Sequence, residues 1–292
     1  MPELPEVQTT VNGLNRTVKG RRILDIQTSY RSPHHAGKDN IKNPKFFALF
    51  KRRVKRKKIL KAERRAKNVL IHLSGGDTII VHMKMTGHFV YDRPHYPFTR
   101  LDLKLDNGKH LILSDMRKFA KVTLVKTSEL ETSFHLEHLG PEPLDKSFGY
   151  KIFKSQILKK PKGKIKQVLM DQSLIAGIGN IYSDEILWRA GVHPLSRPNR
   201  IPEKNLRAMF QAIKKILRKG IDLGGASMSD YRNIKGEKGK FQEHHQTYRK
   251  TSKACGRSKC KGVIARIVVG GRSAHFCGAH QKLYLPRRQA GR

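Results

Sequence analysis

Acidic residues are scarce in this chain: 23 Asp and Glu stand against 61 Lys and Arg in 292 residues, a formal net charge of +38. A protein so short of carboxylates is built to meet a polyanion, and nucleic acid is the commonest one; ribosome association or a generally basic proteome are the ordinary alternatives. Cysteine is almost absent. Cys255, Cys260 and Cys277 are the whole set and cluster near the end of the chain, which argues against a disulfide framework and for a reducing cytosol. Apolar runs of membrane length are missing, and the acidic N-terminal stretch is unlike a secretion signal. A cytoplasmic protein is the expectation.

Hydrophobic residues make up 37% of the chain, modest but enough for packed cores, and the length predicts two domains. Val7, Val11, Leu14 and Val18 recur at helical spacing behind Pro5, which starts that helix. A strand is predicted over 21–29, and a loop with a short helix over 31–50. Residues 51–67 form a dense Lys/Arg run that leads into β sequence. Val69 to Leu73, a Gly75-Gly76-Asp77 turn, and Thr78 to Met83 read as a hairpin. Leu101, Leu103 and Leu105 alternate with polar residues before Asn107-Gly108, a type I′ turn signal, and Leu111 to Leu113. Val122 to Val125 supplies a further strand. The first half is therefore a helix plus an antiparallel sandwich or flattened barrel. Around 139–150, at Gly140-Pro141-Glu142-Pro143, the texture turns helical. Residues 205–219 predict an amphipathic helix ending at Gly220, and 221–250 a mobile polar loop.

Three stretches carry chemistry. The first is Met1-Pro2-Glu3-Leu4-Pro5-Glu6-Val7. Trimming of Met1 exposes Pro2 as a secondary amine whose pKa of about 8 leaves a nucleophilic fraction at neutral pH. Attack on an aldehyde-like carbon gives an iminium, with Glu3 and Glu6 in reach as proton donors or acceptors. Helix initiation is the plain alternative for the same prolines. The second comprises Cys255 and Cys260, then Cys277 and His280, flanking a hairpin centred on Gly270-Gly271. Four ligands with no open position predict a structural zinc site, with three free thiols and a surface histidine as the plain alternative. Arg272, near the hairpin tip, points away from the metal and can reach a phosphate. The third is Gly177-Ile178-Gly179-Asn180 between helices, where backbone amides and a helix N-terminus favour an anion. Without a preceding strand or a third glycine it is not a dinucleotide fingerprint.

Taken together, the N-terminal Pro2-Glu3-Leu4-Pro5-Glu6-Val7, Arg64-Arg65-Ala66-Lys67, His82-x-x-Met85-Thr86-Gly87, Leu139-Gly140-Pro141-Glu142-Pro143-Leu144, the 171–194 segment and the terminal finger occur in one order. That series resembles the bacterial formamidopyrimidine-DNA glycosylases from end to end. The resemblance implies an α+β chain: an N-terminal helix plus antiparallel β-sandwich catalytic domain (1–138), a helix–two-turn–helix domain with a lesion-capping loop (139–250), and a β-hairpin zinc finger with a basic tail (251–292). Duplex DNA carrying oxidised purines or abasic sites is the implied partner, held by a monomer in the cleft between domains. Excision of 8-oxoguanine and formamidopyrimidines, then strand cleavage by β,δ-elimination, is the implied activity. Residue by residue, Pro2 becomes the nucleophile at deoxyribose C1′, Glu3 the acid–base group, and Glu6 a support for the N-terminal site. Lys67 contacts flanking phosphates and belongs to the catalytic set. Asn180 and Arg272 bind phosphates, and His82 and Lys162 join the DNA-contacting set. Met85, Arg117 and Phe119 fill the gap left by the extruded base.

Such plugs offset the few kcal/mol that base extrusion costs. Zinc, one per chain, is the single implied cofactor. The sequence departs from the family in its finger, where four residues separate the first pair and His280 takes the last place. Ala120 follows Phe119 in place of glycine, and the 31–61 stretch is longer than usual. An endonuclease VIII-like enzyme acting on oxidised pyrimidines and a damaged-DNA binder without catalysis remain the alternatives.

Overall fold

The computed structural model describes residues 1–30, 35 and 37–286; residues 31–34 and 36 of the 31–50 stretch and 287–292 of the basic tail lie outside these. Contacts divide the chain into two compact units, Met1–His138 with Gly220–Gln242, and Leu139–Lys219 with Glu243 onward.

The first unit begins with α1 (Leu4–Thr17), whose Val7, Val11 and Leu14, followed by Val18, are fully or nearly fully buried. The 3.6-residue period thus delivers the apolar stripe expected of it. Two antiparallel four-stranded sheets follow. One has the order β1 (Ile23–Thr28), β6 (Thr99–Leu105), β7 (His110–Ser114), β5 (His88–Tyr91); the other β2 (Ile59–Arg65), β3 (Asn68–Leu73), β4 (Asp77–His82), β8 (Lys121–Lys126). Their inward residues share one core with α1, among them Ile26, Leu103, Leu113, Ile71, Ile79 and Val122. This is the sandwich the alternating pattern predicts.

Local chemistry changes three details of the sequence reading. The basic run begins inside a helix, α2 (Pro44–Val54), which Asn43 caps by accepting from Lys45 N at 3.1 Å. Its Lys/Arg content hid the amphipathic Phe50 and Val54 beneath charge. In the β6–β7 hairpin Gly108 is left-handed but Asn107 is not. Gly108 N donates to Leu105 O and Leu105 N to Lys109 O, the pattern of a type I turn with a bulge in place of type I′. Lastly, α6 (Glu203–Asp222) continues through Gly220.

Residues 221–250 lack periodicity because their polar groups are satisfied by irregular turns. Asn233 Oδ1 accepts from Lys235 N and Glu237 N, and Ser227 N donates to Gln242 Oε1. The part up to Gln242 clusters with the sandwich unit, although the sequence places it with the helical domain.

The second unit contains α3 (Tyr150–Leu158), α4 (Ile165–Met170) and α5 (Asn180–Ala190), most of α6, and the hairpin β9 (Ile264–Val269) and β10 (Arg272–Cys277). Gly270 and Gly271 both have positive φ, the type I′ geometry that suits a two-residue hairpin. No helix among the described residues is long and apolar enough to cross a membrane.

Candidate active site and nucleic-acid interface

Pro2 to Val7 are buried, whereas Met1 ahead of them is 48% exposed. Glu3 and Glu6 are 3% and 1% exposed, a costly position for carboxylates unless their oxygens are paired. Glu6 Oε2 accepts Glu3 N at 2.7 Å and Oε1 accepts Ala226 N at 2.7 Å. The Glu6 carbonyl accepts the Tyr231 hydroxyl at 2.9 Å. One side chain therefore closes the first turn of α1 and ties it to the 225–231 segment. Gly225 makes this possible: its φ is +83°, and a Cβ there would stand 2.8 Å from Glu6 Cγ.

The α-amine of Met1 lies near enough to these carboxylates and to Lys67 to feel their charges. Burial, the largest cause, pushes it below its ordinary pKa; Glu3 and Glu6 oppose this, Lys67 adds to the lowering and Asp230 opposes it. Lys67 is itself buried in the β2–β3 turn. His82, paired opposite Asn68, is held down to about 3 by desolvation and then by Lys84, Lys67 and Lys121. Both causes favour its neutral form.

Met85, Arg117 and Phe119 lie on two neighbouring loops of the first unit, and all three side chains are exposed, Met85 by 39% and Phe119 by 49%. The Arg117 guanidinium stands over the Phe119 ring at 4.8 Å. Beneath them the fully buried Asp115 fastens both loops. Its Oδ1 accepts Thr86 Oγ1 at 2.6 Å, and its Oδ2 accepts Tyr30 Oη and Ala120 N, each at 2.8 Å. Arg117 N in turn donates to Thr86 Oγ1 at 3.0 Å. Burial, then the Asp115 charge, pushes the Tyr30 phenol well above its usual range, so it stays a donor.

Ala66, Lys84 and Lys118 have φ of 53°, 54° and 57°. Each adjoins one of the residues singled out above, at a cost of about 1–2 kcal/mol for a side-chain-bearing residue. Sequence reasoning passed over Asp115 and Tyr231 and met Thr86 only as part of a motif, without a role. An aspartate directly after a strand of three apolar residues was the available signal for the first.

The second unit holds the remaining candidates. Asn180 opens α5, and its Oδ1 is buried with no hydrogen-bond partner among the described residues. One turn on, Asp184 pairs with the buried Lys166 and accepts His275 N and Nδ1, each at 2.9 Å. The helix that starts at Asn180 is thereby locked to β10, which begins at Arg272. Arg272, Lys160 and Lys164 line a groove of about 420 Å³. Lys162 is exposed in the same turn region.

Cys255, Cys260, Cys277 and His280 bring their ligand atoms within 4.8 Å of one another. Cys260 and Cys277 sulfurs are 3.7 Å apart, and His280 Nδ1 is 3.5 Å from Cys255 Sγ and 3.7 Å from Cys260 Sγ. A tetrahedral ion with bonds of about 2.3 Å to sulfur and 2.0–2.1 Å to nitrogen needs edges of roughly 3.5–3.8 Å. Three of the six donor separations match those edges and all six stay within 4.8 Å, so a small inward shift of the side chains closes the set on one ion. His280 Nε2 bonds the Trp188 carbonyl at 3.1 Å and Trp188 Nε1 donates to Cys255 Sγ at 3.3 Å, the kind of outer support that orients metal ligands.

A sandwich bearing a buried N-terminal Pro-Glu pair, with a separate helix–two-turn–helix unit and a Cys₃His cluster, defines a class of DNA-lesion enzymes, and comparison with known proteins narrows it. Residues 1–122 match the formamidopyrimidine-DNA glycosylase N-terminal domain and residues 139–232 the H2TH domain of the same enzymes. The formamidopyrimidine-DNA glycosylase of Herpetosiphon aurantiacus is 38% identical over 95% of this chain and 98% of its own length. That of Pelotomaculum thermopropionicum is 36% identical over 97% and 100%. Among solved structures, the Lactococcus lactis Fpg bound to DNA containing an abasic site superposes with a TM-score of 0.85 at 34% identity, covering 96% of this chain and 99% of that one. The same enzyme with DNA containing an oxidised pyrimidine gives 0.84 at 33%, covering 96% and 100%. The chain belongs to the formamidopyrimidine-DNA glycosylase family.

Proposed function

We propose that this protein removes oxidised purines, 8-oxoguanine and formamidopyrimidines, from duplex DNA and then cleaves the strand. The observation that supports it most is the burial of Pro2 beside Glu3 and Glu6. Once Met1 is lost, an amine at the buried Pro2 is desolvated toward its neutral, nucleophilic form and has two carboxylates beside it that can move protons. Once Met1 is removed, the Pro2 nitrogen attacks C1′ of the damaged nucleoside and the base leaves with its bonding electrons, taking a proton as it goes. Opening of the sugar ring leaves an iminium between Pro2 and C1′. Loss of the C2′ proton then expels the 3′ phosphate, a second elimination expels the 5′ phosphate, and water releases the sugar fragment. Glu3 moves protons in ring opening and elimination; Glu6 holds the segment through its bonds to Glu3 N and Ala226 N.

Lys67, His82, Lys162, Asn180 and Arg272 grip the backbone, His82 as a neutral group. Met85, Arg117 and Phe119 replace the extruded base in the stack. Their exposure and the fastening of their loops through Asp115 support this. The functional division places catalysis in 1–138, the helix–two-turn–helix and lesion cap in 139–250, and the finger in 251–292. Cys255, Cys260, Cys277 and His280 hold one zinc ion whose contribution is to fold the finger and present Arg272. The protein works as a monomer on the DNA of a bacterial cytoplasm.

Single-turnover excision on duplexes carrying 8-oxoguanine opposite cytosine, a formamidopyrimidine, or an oxidised pyrimidine tests the reading. The purine lesions should be released fastest. The complex of the Lactococcus lactis enzyme with oxidised-pyrimidine DNA keeps the pyrimidine reading in play; faster release of the pyrimidine lesion would transfer the assignment to it.

A further inference from the structure

The charge of this chain exceeds what the residues above can use, and part of the excess is gathered at one place. Backbone pairing lays residues 19–23 beside 56–59: Gly20 N donates to Ile59 O, Ile59 N to Arg21 O, and Ile23 N to Lys57 O. Arg22 forms an isolated bridge with Lys58, and its guanidinium bonds Arg56 O at 3.4 Å. Lys19, Arg22, Arg52, Arg56 and Lys58 are exposed and Lys57 half-buried. Only two aspartates answer them among the described residues: Asp25, occupied by Lys51 and Lys55, and Asp106, 4.0 Å from Arg21. Lys19, Arg52, Arg56, Lys57 and Lys58 form no salt bridge among the described residues.

Two rulers place this patch away from the reactive N-terminus. Helix α1 runs 14 residues from Leu4 to Thr17, about 21 Å, and Lys19 to Arg22 follow its far end. Strand β2 runs seven residues from Ile59 to Arg65, roughly 23 Å, with Lys57-Lys58 before one end and Lys67 beyond the other. The patch therefore lies at the opposite end of the sandwich from Pro2 and Lys67. No aromatic residue stands in 19–24 or 52–60 to serve as the anchor a protein interface needs. Unpaired lysines and arginines without such an anchor suit the evenly spaced charge of a phosphate backbone.

We propose that this face is a second binding surface for duplex DNA, able to hold an undamaged segment while another duplex occupies the lesion site. The enzyme then passes between segments without full release, which puts the extreme charge to use.

The test saturates the full-length protein with a short duplex carrying a tetrahydrofuran abasic analogue, then titrates a labelled undamaged duplex at low salt. The wild type should bind the second duplex. Lys55→Gln, Arg56→Gln, Lys57→Gln and Lys58→Gln together should weaken that binding at least tenfold and lower its salt slope by roughly 2–4. Affinity for the first duplex and single-turnover excision should stay within twofold. An independent pair on the other segment, Lys19→Gln with Arg21→Gln, should act in the same direction and guards against a folding defect in the first variant. Absence of second-duplex binding by the wild type, unchanged binding by both variants, or capture of an acidic protein in place of DNA would overturn the proposal. These are binding measurements, so a failure to excise lesions would be seen separately.

Discussion

Replacing Asp115 separates duplex opening from bond breaking. In Asp115→Ala the Tyr30 hydroxyl, the Thr86 hydroxyl and Ala120 N all lose their acceptor. Tyr30 is 4% exposed and Ala120 fully buried. Hydrogen bonds to a charged acceptor contribute about 1.5–3 kcal/mol each, and buried donors left unmade cost about 1–3. The losses overlap, so a net destabilisation of about 3–5 kcal/mol is expected, read as a lower chemical-denaturation midpoint. Asp115→Asn keeps the volume and should cost about 1–2 kcal/mol. Its amide nitrogen cannot accept from the donors that remain, so the loops bearing Met85, Arg117 and Phe119 lose their register. If the plug residues thereby lose about 1–2 kcal/mol of their stabilisation of the opened duplex, excision from a duplex falls roughly 5–30-fold. Cleavage of single-stranded DNA at a preformed abasic site needs no base extrusion and should be nearly unchanged. Equal loss of both activities in Asp115→Asn, or of neither, would refute the reasoning.

Other consequences are checked more simply. Lys67 lowers the pKa of the N-terminal amine, so Lys67→Gln should shift the acidic limb of the trapping-rate profile to higher pH; an unmoved limb would detach Lys67 from the amine. His82 takes up its proton near pH 6.5 when unfolded but at about 3 in the fold. The unfolded state binds more protons in that window, so stability drops as pH falls through it, by on the order of 2–4 kcal/mol. His82→Gln should flatten that dependence in denaturation curves. Trp188 is the sole tryptophan and bonds Cys255 Sγ. One equivalent of zinc added to chelator-treated protein should therefore shift its emission and restore DNA affinity, and a silent titration would contradict the finger assignment. Gly225→Ala forces a Cβ against Glu6 at a left-handed position and should cost about 1–3 kcal/mol, measured as a lower midpoint.

The alternating strands, the α1 stripe and the four metal ligands were legible in the sequence because each follows a period or spacing set by backbone geometry. Helix α2 was legible only as a short helix somewhere in 31–50; its continuation to Val54 was masked by the charge on its outer face. The Asn107-Gly108 turn kept its place and changed its type, because a one-residue bulge leaves the same sequence mark as a two-residue turn. The chemistry of a free N-terminal proline singled out Pro2 and Glu3 and motif resemblance Lys67, while Asp115 and Tyr231 act through contacts over 85 and 225 positions of sequence. No local pattern records such pairings. Residues 221–242 look unstructured to any periodic test, yet Ala226 N and the Tyr231 hydroxyl anchor them on Glu6.

The central claim is that the amine of Pro2 forms the covalent bond to DNA. Borohydride reduction during reaction with a duplex carrying one 8-oxoguanine opposite cytosine, followed by peptide mass spectrometry, tests it directly. The account predicts an adduct on Pro2 of protein lacking Met1, and none with Pro2→Gly acetylated at its terminus. An adduct on a lysine side chain, or none with either 8-oxoguanine or abasic duplex once Met1 is gone, would contradict it.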